Sequence, residues 1–480
     1  MIDLDHLEKY TENNRIEAKK ALGGLPHSIW ETYSAFANAL GGIILLGVEE
    51  YKDKTLHTVD LPDPDSLVRE FWDKVNDPNK ASVNLLTKQH IRIEKVSGDR
   101  IIVIEVPRAP RYQKPVYIDG NAASGTYFRC GEGDHHCTAE ELQAMYRDAD
   151  FRTQDMRVLE QTDCAVFCAE SIRSYRDRMK RSRPAHVWES LDDSAFLLKL
   201  GAAGTGTDGE VHPTAAGLLM FGREQEILRE YPDYSLEYRE ACGDMQQETE
   251  SFASSAGDWS GNVFDFYFHV CGRLQAGLNE TPETDDTPVQ KAIREGLANC
   301  LVNADYYGSG GVVIVKQPDL ITMSNPGAFR VGLDEARAGG MSDPRNGILM
   351  KMFHLLDIGE RAGSGIPSIL YTWKQQGWSE PVVSQSFAPN RIMLSLPLTK
   401  SSGQKARIRC ADKKVPLKTE TRKEMVIAYL TEHVTATCAE LCELLDLKPP
   451  RVRKIMRELT EEGIVTAPAG NRNLVYKLKA

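Results

Sequence analysis

Four basic side chains, Arg451, Arg453, Lys454 and Arg457, interleave with Val452, Ile455, Met456 and Leu459 near the end of the chain. The apolar four recur at three- and four-residue steps, so a helix here buries them on one face and leaves the basic four mostly on the other. Cations placed in this way reach phosphates or base edges in a major groove. A second set, Glu295, Asn299 and Asn303, is spaced by four and shares one face of a helix expected from Val289 to Asn303. A third, Cys130, His135, His136 and Cys137, is the one group whose spacing suggests metal. Its four-residue gap followed by adjacent ligands is a poor zinc template, so no structural metal is expected.

The basic helix needs a scaffold, and the residues around it supply one. A first helix is expected from Arg422 to Glu432, burying Met425, Val426, Ala428 and Tyr429 or Leu430. Thr435 or Thr437 caps a second helix with Leu441, Leu444 and Leu445 inward, and Leu447-Lys448-Pro449-Pro450 turns into the basic helix. Ile464 to Ala467 and Leu474 to Leu478 alternate as a two-stranded wing about Ala469-Gly470-Asn471, where Arg472 and Lys477 would meet the flanking backbone. Three helices and a hairpin make a winged helix-turn-helix over 419–480.

Charge is distributed to match. The chain of 480 residues has a net charge of -11, yet from residue 401 onward 16 Lys and Arg face 10 Asp and Glu, a surplus of +6 that leaves -17 on the rest. A basic module on an acidic body is the pattern of a discrete nucleic-acid-binding domain. Hydrophobic content of 41% and charged content of 26% describe a folded chain too long for one core. Ten scattered cysteines, including Cys438 and Cys442 one helical turn apart as small buried groups, suit a reducing compartment. The opening MIDLDHLEKY has no basic region leading into an apolar run, and no stretch approaches twenty apolar residues, so a cytoplasmic protein with no membrane partner is expected.

Residues 1–150 read as one mixed domain with a polar opening that carries TENNRIEAKKAL. A helix is expected from Ile29 to Leu40, a buried strand in GGIILLGVEE and a helix from Asp65 to Trp72. Strands follow at Ile91 to Lys95, Arg100 to Val106 and Pro115 to Phe128, the last turning at Asp119-Gly120, and a helix capped by Thr138 with Glu141 closes the unit. Residues 151–250 are expected as a mainly helical connector in which His212-Pro213-Thr214 starts a short helix ending at Gly222. Residues 251–400 read as an α+β domain: helices near Val263 to Leu278 and at Val289 to Asn303, strands at Gly311 to Lys316 and Leu320 to Ser324, a helix at Gly347 to Leu356, the loop GERAGSGIP, and a last strand at Arg391 to Pro397. Residues 401–418 are polar, without apolar periodicity, and read as a linker.

The segment TENNRIEAKKALGGLPHSIWETYSAFANALGGIILLGVEE closely resembles the Schlafen/AlbA-like DNA-binding domain of bacterial regulators. The resemblance is carried by Glu12, Glu17 and Lys19, the box Ala35-Phe36-Ala37-Asn38, Gly41-Gly42 and Gly47-Val48-Glu49-Glu50, and later by Tyr127, Arg129 and Gly131. Eukaryotic Schlafen relatives use two glutamates and an acid after the strand to cut RNA with a divalent cation. The resemblance therefore implies Glu12, Glu17 and either Glu49 or Glu50, with Lys19, as the catalytic set of a metal-dependent nuclease.

KAIREGLANCLVNADYYGSGGVVIVKQPDLITMSNPGAF and MSDPRNGILMKMFHLLDIGERAGSGIP are similar to a divergent ATPase module, the RecG-like C-terminal region, related to the gyrase, Hsp90 and histidine-kinase (GHKL) ATP fold. No G-x-x-x-x-G-K-[ST] loop is present, so no helicase motor is implied. The resemblance implies that Glu295 positions water, Asn299 holds Mg²⁺ with the nucleotide, and Asn303 shares their face. Asn325-Pro326-Gly327 would contact adenine in place of Asp-x-Gly, where an amide must orient correctly to accept the amino group. Gly363-Ser364-Gly365 would approach the phosphates, and Asp343, Arg345 and Asn346 belong to the same stretch.

The expected fold class is α+β multidomain: a Schlafen/AlbA-like α+β domain, a degenerate GHKL-type α/β sandwich and a C-terminal winged helix-turn-helix. The expected function is a DNA-binding transcriptional regulator modulated by ATP or another nucleotide, with double-stranded DNA as partner. A homo-oligomer would set two winged helices on paired half-sites. The alternatives are the metal-dependent nuclease using Glu12 and Glu17, and a scaffold binding only protein.

Overall fold

The run Gly42–Leu46 has no polar face because both of its faces are covered. The computed structural model describes residues 2–241, 248–276, 287–359, 363–387 and 389–400, and beyond them 426, 430, 436–437, 441, 449–461, 465–466 and 475–478. In the front domain β1 (Ile16–Lys19), α1 (Ile29–Asn38), β2 (Gly42–Leu46), β3 (Val48–Glu50), β4 (Leu56–Thr58), α2 (Pro64–Val75), β5 (Ile91–Val96) and β6 (Asp99–Val106) follow in order. The main sheet runs β1-β2-β6-β5, with β2 parallel to β1 and antiparallel to β6. Ile44, Leu46, Ile102 and Ile104 pack with Trp30, Phe36 and Phe71, while Leu45, Ile101 and Val103 pack with Leu7, Ile16 and Leu56. A strand buried on both faces reads as an unbroken apolar run. It stops at Gly47, whose φ of +80 suits glycine and where a Cβ would lie 2.8 Å from Leu61 Cγ.

Two front-domain expectations need correction. Strand β1 lies in the segment read as a polar opening, because its one large inward apolar residue, Ile16, gives no alternating signal. Pro115 to Phe128 is not a strand pair: Tyr117 and Ile118 form isolated bridges, Asp119 and Gly120 turn at φ +55 and +69, and a helical turn α3 (Ala122–Gly125) precedes β7 (Tyr127–Cys130). Side chains of α1 take the place of a ladder. Asn38 Nδ2 donates to Val116 O (2.8 Å) and Tyr127 O (3.1 Å), its Oδ1 accepts from Val116 N (2.9 Å), and Ser34 Oγ accepts from Tyr127 N (3.0 Å). β7 pairs with β8 (Gly133–His136), and α4 (Ala139–Ala149) carries the expected capping box, with Thr138 and Glu141 exchanging both hydrogen bonds.

Next come α5 (Ala169–Ser182), α6 (Asp193–Leu200), β9 (Ala203–Thr205), β10 (Val211–Pro213), α7 (Ala215–Phe221), α8 (Glu224–Glu230), β11 (Leu236–Ala241), β12 (Glu248–Ala253), α9 (Val263–Gln275) and α10 (Pro288–Val302). Then β13 (Val312–Lys316), β14 (Leu320–Pro326), α11 (Leu333–Ala338), α12 (Gly347–Leu355), α13 (Gly365–Gln376), β15 (Val382–Phe387) and β16 (Asn390–Pro397) complete the body. Helix α7 is capped by Thr214 and stops at Gly222 as expected.

The expected border at residue 250 does not separate two cores. Strand β11 sits inside the six-stranded sheet β12-β11-β13-β14-β16-β15, parallel to β13, and one apolar core runs from Leu159 to Leu396. Strand β12, which crosses that border, alternates too weakly to announce itself, and the same holds for β15. The loop GERAGSGIP gives way at Gly365 to α13, which packs on α10.

Residues 405–480 form a separate unit. Val426, Leu430 and Leu441 are helical and buried. Helix α14 (Pro449–Glu461) opens on its two prolines, where missing N–H groups cost no intrahelical bond. β18 (Val465–Thr466) and β19 (Val475–Leu478) pair as the expected wing. A third strand, β17 (Ala436–Thr437), pairs with β19, and the start of the second helix, where Thr435 or Thr437 was expected as cap, lies outside the described residues. The 401–418 linker, Thr435, Arg472 and the wing turn lie outside the described residues.

Candidate functional site

Helix α10 is started by Thr287 and Gln290, which satisfy each other's backbone donors, and by Pro288 at its first position. Its face carrying Glu295, Asn299 and Asn303 turns toward α13 and the 327–344 segment. There a cavity of about 130 Å³ is lined by Asn299, Asn303, Asn325, Gly363 and Gly365, five of the seven residues expected to hold a nucleotide. Met323, Ile369 and Leu394 supply apolar surface beside them. The cavity is smaller than the roughly 300–1,000 Å³ of a site that encloses a drug-sized ligand.

Each polar group is fixed. Glu295, 7% exposed, accepts from Asn299 Nδ2 at 2.9 Å. Asn303 Nδ2 donates to Asn299 O at 3.0 Å. Asn325 Nδ2 donates to Pro326 O at 3.0 Å and toward Asn303 O at 3.4 Å, which sets its Oδ1 as the accepting end. A Cβ on Gly365 would stand 2.4 Å from Glu295 Oε1 and 2.8 Å from Asn299 Nδ2, and one on Gly363 (φ +71) would stand 2.1 Å from Met341 O. Gly365 permits the approach of α13 to α10, and Gly363 permits the close passage of the chain past the Met341 backbone. Gly327 departs from expectation: it is absent from the cavity wall, and a Cβ there would meet Arg345 Nη1 at 2.4 Å, so it makes room for that guanidinium instead. Asn346, buried, ties the start of α12 to Val302 O and Ala304 O.

The cavity wall is braced by the front domain. Arg345 donates to both oxygens of Asp148 and to Asn303 O and Ala328 O. Arg111 Nε donates to Asp343 Oδ2 at 2.5 Å, and Arg108 donates to Phe329 O and Val331 O. Sequence reading missed Arg108, Arg111 and Arg330; each stands outside the periodic elements, and no spacing links Arg108 and Arg111 to partners more than two hundred positions away.

The front-domain carboxylates meet differently. Glu17 is buried, receiving Arg129 Nη2 at 2.7 Å and Lys19 Nζ at 2.8 Å. Arg129, 1% exposed, also holds Asp134 at 2.9 Å and the carbonyls of Asn13 and Ile16. Glu12 accepts from Ala18 N at 3.0 Å. Burial raises its pKa, and the charges of Glu17 and Glu50 add to the rise. The two remaining candidates differ in partner: Glu50, whose charge raises the pKa of Glu12, pairs with Lys54 at 3.0 Å, while Glu49 pairs with Lys20. No group of three or more His, Cys, Asp or Glu able to hold a metal ion occurs among the described residues, Cys130, His135, His136 and Cys137 included.

On α14, Val452, Met456 and Leu459 are fully buried and Ile455 nearly so, while Arg451, Lys454 and Arg457 are exposed. Lys477 is exposed on β19. The side chain of Arg453 lies outside the described ones.

Four families match the chain: "Schlafen, AlbA_2" over 12–138, a domain of unknown function (DUF8451) over 143–237, "Putative ATP-dependent DNA helicase recG C-terminal" over 311–394, and "Winged helix-turn-helix DNA-binding" over 420–466. No curated protein matches. Among solved structures, the DIP2311 protein of Corynebacterium diphtheriae is 14% identical at a TM-score of 0.39, covering 97% of this chain and 95% of that one. The N-terminal domain of a "Putative ATP-dependent DNA Helicase RecG-related Protein" from Nitrosomonas europaea is 33% identical at a TM-score of 0.23, covering 28% of this chain and 90% of that one. Among the described residues no helix is long and apolar enough to cross a membrane. The domain composition suggests a DNA-binding, regulatory type of protein. The chain carries a Schlafen/AlbA-like domain at its front, a RecG-related segment in its second half and a winged-helix domain at its end.

Proposed function

We propose that this protein is a DNA-binding transcriptional regulator whose body takes a nucleotide. The observation that carries the DNA reading is helix α14: Arg451, Lys454 and Arg457 stand exposed over a stripe of buried Val452, Met456 and Leu459. A helix anchored in that way presents its cations to a groove without giving up its core. A homodimer would double the contact on paired half-sites. The test is retardation of duplex DNA by the full-length chain, with Arg451→Ala and Lys454→Ala as the variants; retention of full affinity by the double variant overturns the reading.

The nucleotide reading is supported by five expected residues lining one cavity and by the orientation of Asn325. The residues present fit a base: apolar surface from Met323, Ile369 and Leu394, and an oriented amide acceptor. Asn325 would hold the base, Gly363 and Gly365 the phosphates, and Asn299 the Mg²⁺. When bound, Mg-ATP supplies a hydrolysable phosphoanhydride. Glu295, held by Asn299, would orient water. Binding of ATP by the purified protein, read by calorimetry, tests this part. The nuclease alternative is less well supported, because Glu17 is already neutralised by Arg129 and Lys19.

A further inference from the structure

Arg330 lines the cavity with only 4% of its side chain exposed. Its Nη1 donates to Pro344 O at 3.0 Å, its Nη2 stands 3.4 Å from Asp343 Oδ1, and its Nε is buried with no hydrogen-bond partner. The carboxylates nearby are already engaged. Asp343 accepts the shorter bond from Arg111, and Asp148 gives both oxygens to Arg345. Glu335 acts on Arg108 through space while its own oxygen accepts from Gly332 N at 3.0 Å. Arg147 and Asp305, paired at 2.9 Å, also act on this wall, so five guanidiniums share four carboxylates. Burial lowers the pKa of both Arg330 and Arg108, which marks incomplete compensation of their charge. An anion completes such a set, and the unused Nε edge of a guanidinium fits a phosphate side-on.

We propose that the cavity's ligand is anionic, a phosphate-bearing nucleotide, and that Arg330 receives its phosphate. This rests on the nucleotide reading of the cavity. The residues on either side of Arg330, Phe329 and Val331, are held through their carbonyls by Arg108 of the front domain, so the anion is gripped by a wall that both domains build.

Calorimetry on the full-length protein with ATP, adenosine and pyrophosphate decides it. The wild type should bind ATP at least about tenfold tighter than adenosine, a gap of about 1.4 kcal/mol. Arg330→Gln should bring ATP down to the affinity of adenosine and leave adenosine unchanged. Asp343→Asn, which releases Arg330 from its competing carboxylate, should tighten ATP, a gain that damage to the fold does not produce. Equal affinity for ATP and adenosine in the wild type, or undiminished ATP binding by Arg330→Gln, overturns the proposal. Should Arg330→Gln fail to fold, Asp343→Asn decides alone, and weaker or unchanged ATP binding overturns it. If the wild type binds neither nucleoside nor nucleotide, the nucleotide reading falls. A pyrophosphate-induced rise in unfolding temperature that Arg330→Gln abolishes then keeps the anion site, and no rise overturns that as well.

Discussion

Asp148, on the last turn of the front domain's closing helix, grips Arg345 side-on, with Oδ1 at 2.9 Å from Nε and Oδ2 at 2.7 Å from Nη2. Through the same guanidinium the grip extends to the carbonyls of Asn303 and Ala328, at the end of α10 and in the cavity wall. This ion pair, with that of Arg111 and Asp343, fastens the front domain to the body at the cavity wall.

Removing it should be costly. Arg345 is 4% exposed, and Asp148→Ala leaves that charge buried without a carboxylate, a loss of about 3 kcal/mol. Burial by itself would raise the pKa of Asp148, but Arg345 outweighs it and holds the carboxyl below its ordinary value. A depressed folded pKa means that the stabilisation is present above the unfolded value of about 3.9 and is lost as pH falls through the folded one. Asp148→Asn should accordingly unfold earlier than the wild type in urea at pH 7, and the gap should close in acid. A constant gap down to the lowest pH at which the wild type folds would contradict this.

The two front-domain glutamates should respond in opposite directions. Glu17→Gln removes one of the two carboxylates that face Arg129, which is 1% exposed and keeps Asp134, and should lower stability by about 1–3 kcal/mol. Glu12 has a raised pKa, first from burial and then from Glu17 and Glu50. A carboxyl whose folded pKa is raised favours folding below its unfolded value and loses that contribution as pH rises through the folded one. Glu12→Gln, which can still accept from Ala18 N, should hold or raise the unfolding temperature at pH 7. A fall as large as that of Glu17→Gln would show that Glu12 is needed as an anion. Any nuclease assay resting on Glu17→Gln alone would confuse chemistry with unfolding.

At the cavity, Gly365→Ala places a methyl 2.4 Å from Glu295 Oε1, a side-chain atom that can move, at a cost of about 1–3 kcal/mol. Gly363→Ala meets the Met341 carbonyl at 2.1 Å from a φ of +71 and should cost more, since backbone cannot step aside as a rotamer can. Both should weaken ATP binding by about tenfold or more in calorimetry, with the unfolding temperature falling further for Gly363→Ala.

For DNA, every phosphate that a cation neutralises steepens the fall of log affinity with log salt by about 0.9. Arg451→Ala and Lys454→Ala should each make that fall shallower by this amount on duplex DNA, measured between low and moderate salt. Unchanged slopes would mean that these side chains touch no phosphate.

Periodicity announced what repeats within a single element. The apolar stripe of α14, the run of β2 and the four-residue spacing on α10 were legible because a helix or a buried strand imposes its period on neighbours in sequence. Asn38 was visible as part of a box, yet its work, bonding Val116 and Tyr127 across some eighty residues or more, was not. The sequence by itself determined the strongly periodic elements, the basic tail and the spacing of Glu295, Asn299 and Asn303 on one helix. Only tertiary structure decided that Asn299, Asn325 and Gly365 face one cavity, that Glu17 is spent on Arg129, and that Arg108, Arg111 and Asp148 brace a wall two hundred residues away. Burial and charge pairing are set by contacts between distant segments, and such contacts leave no local period to read.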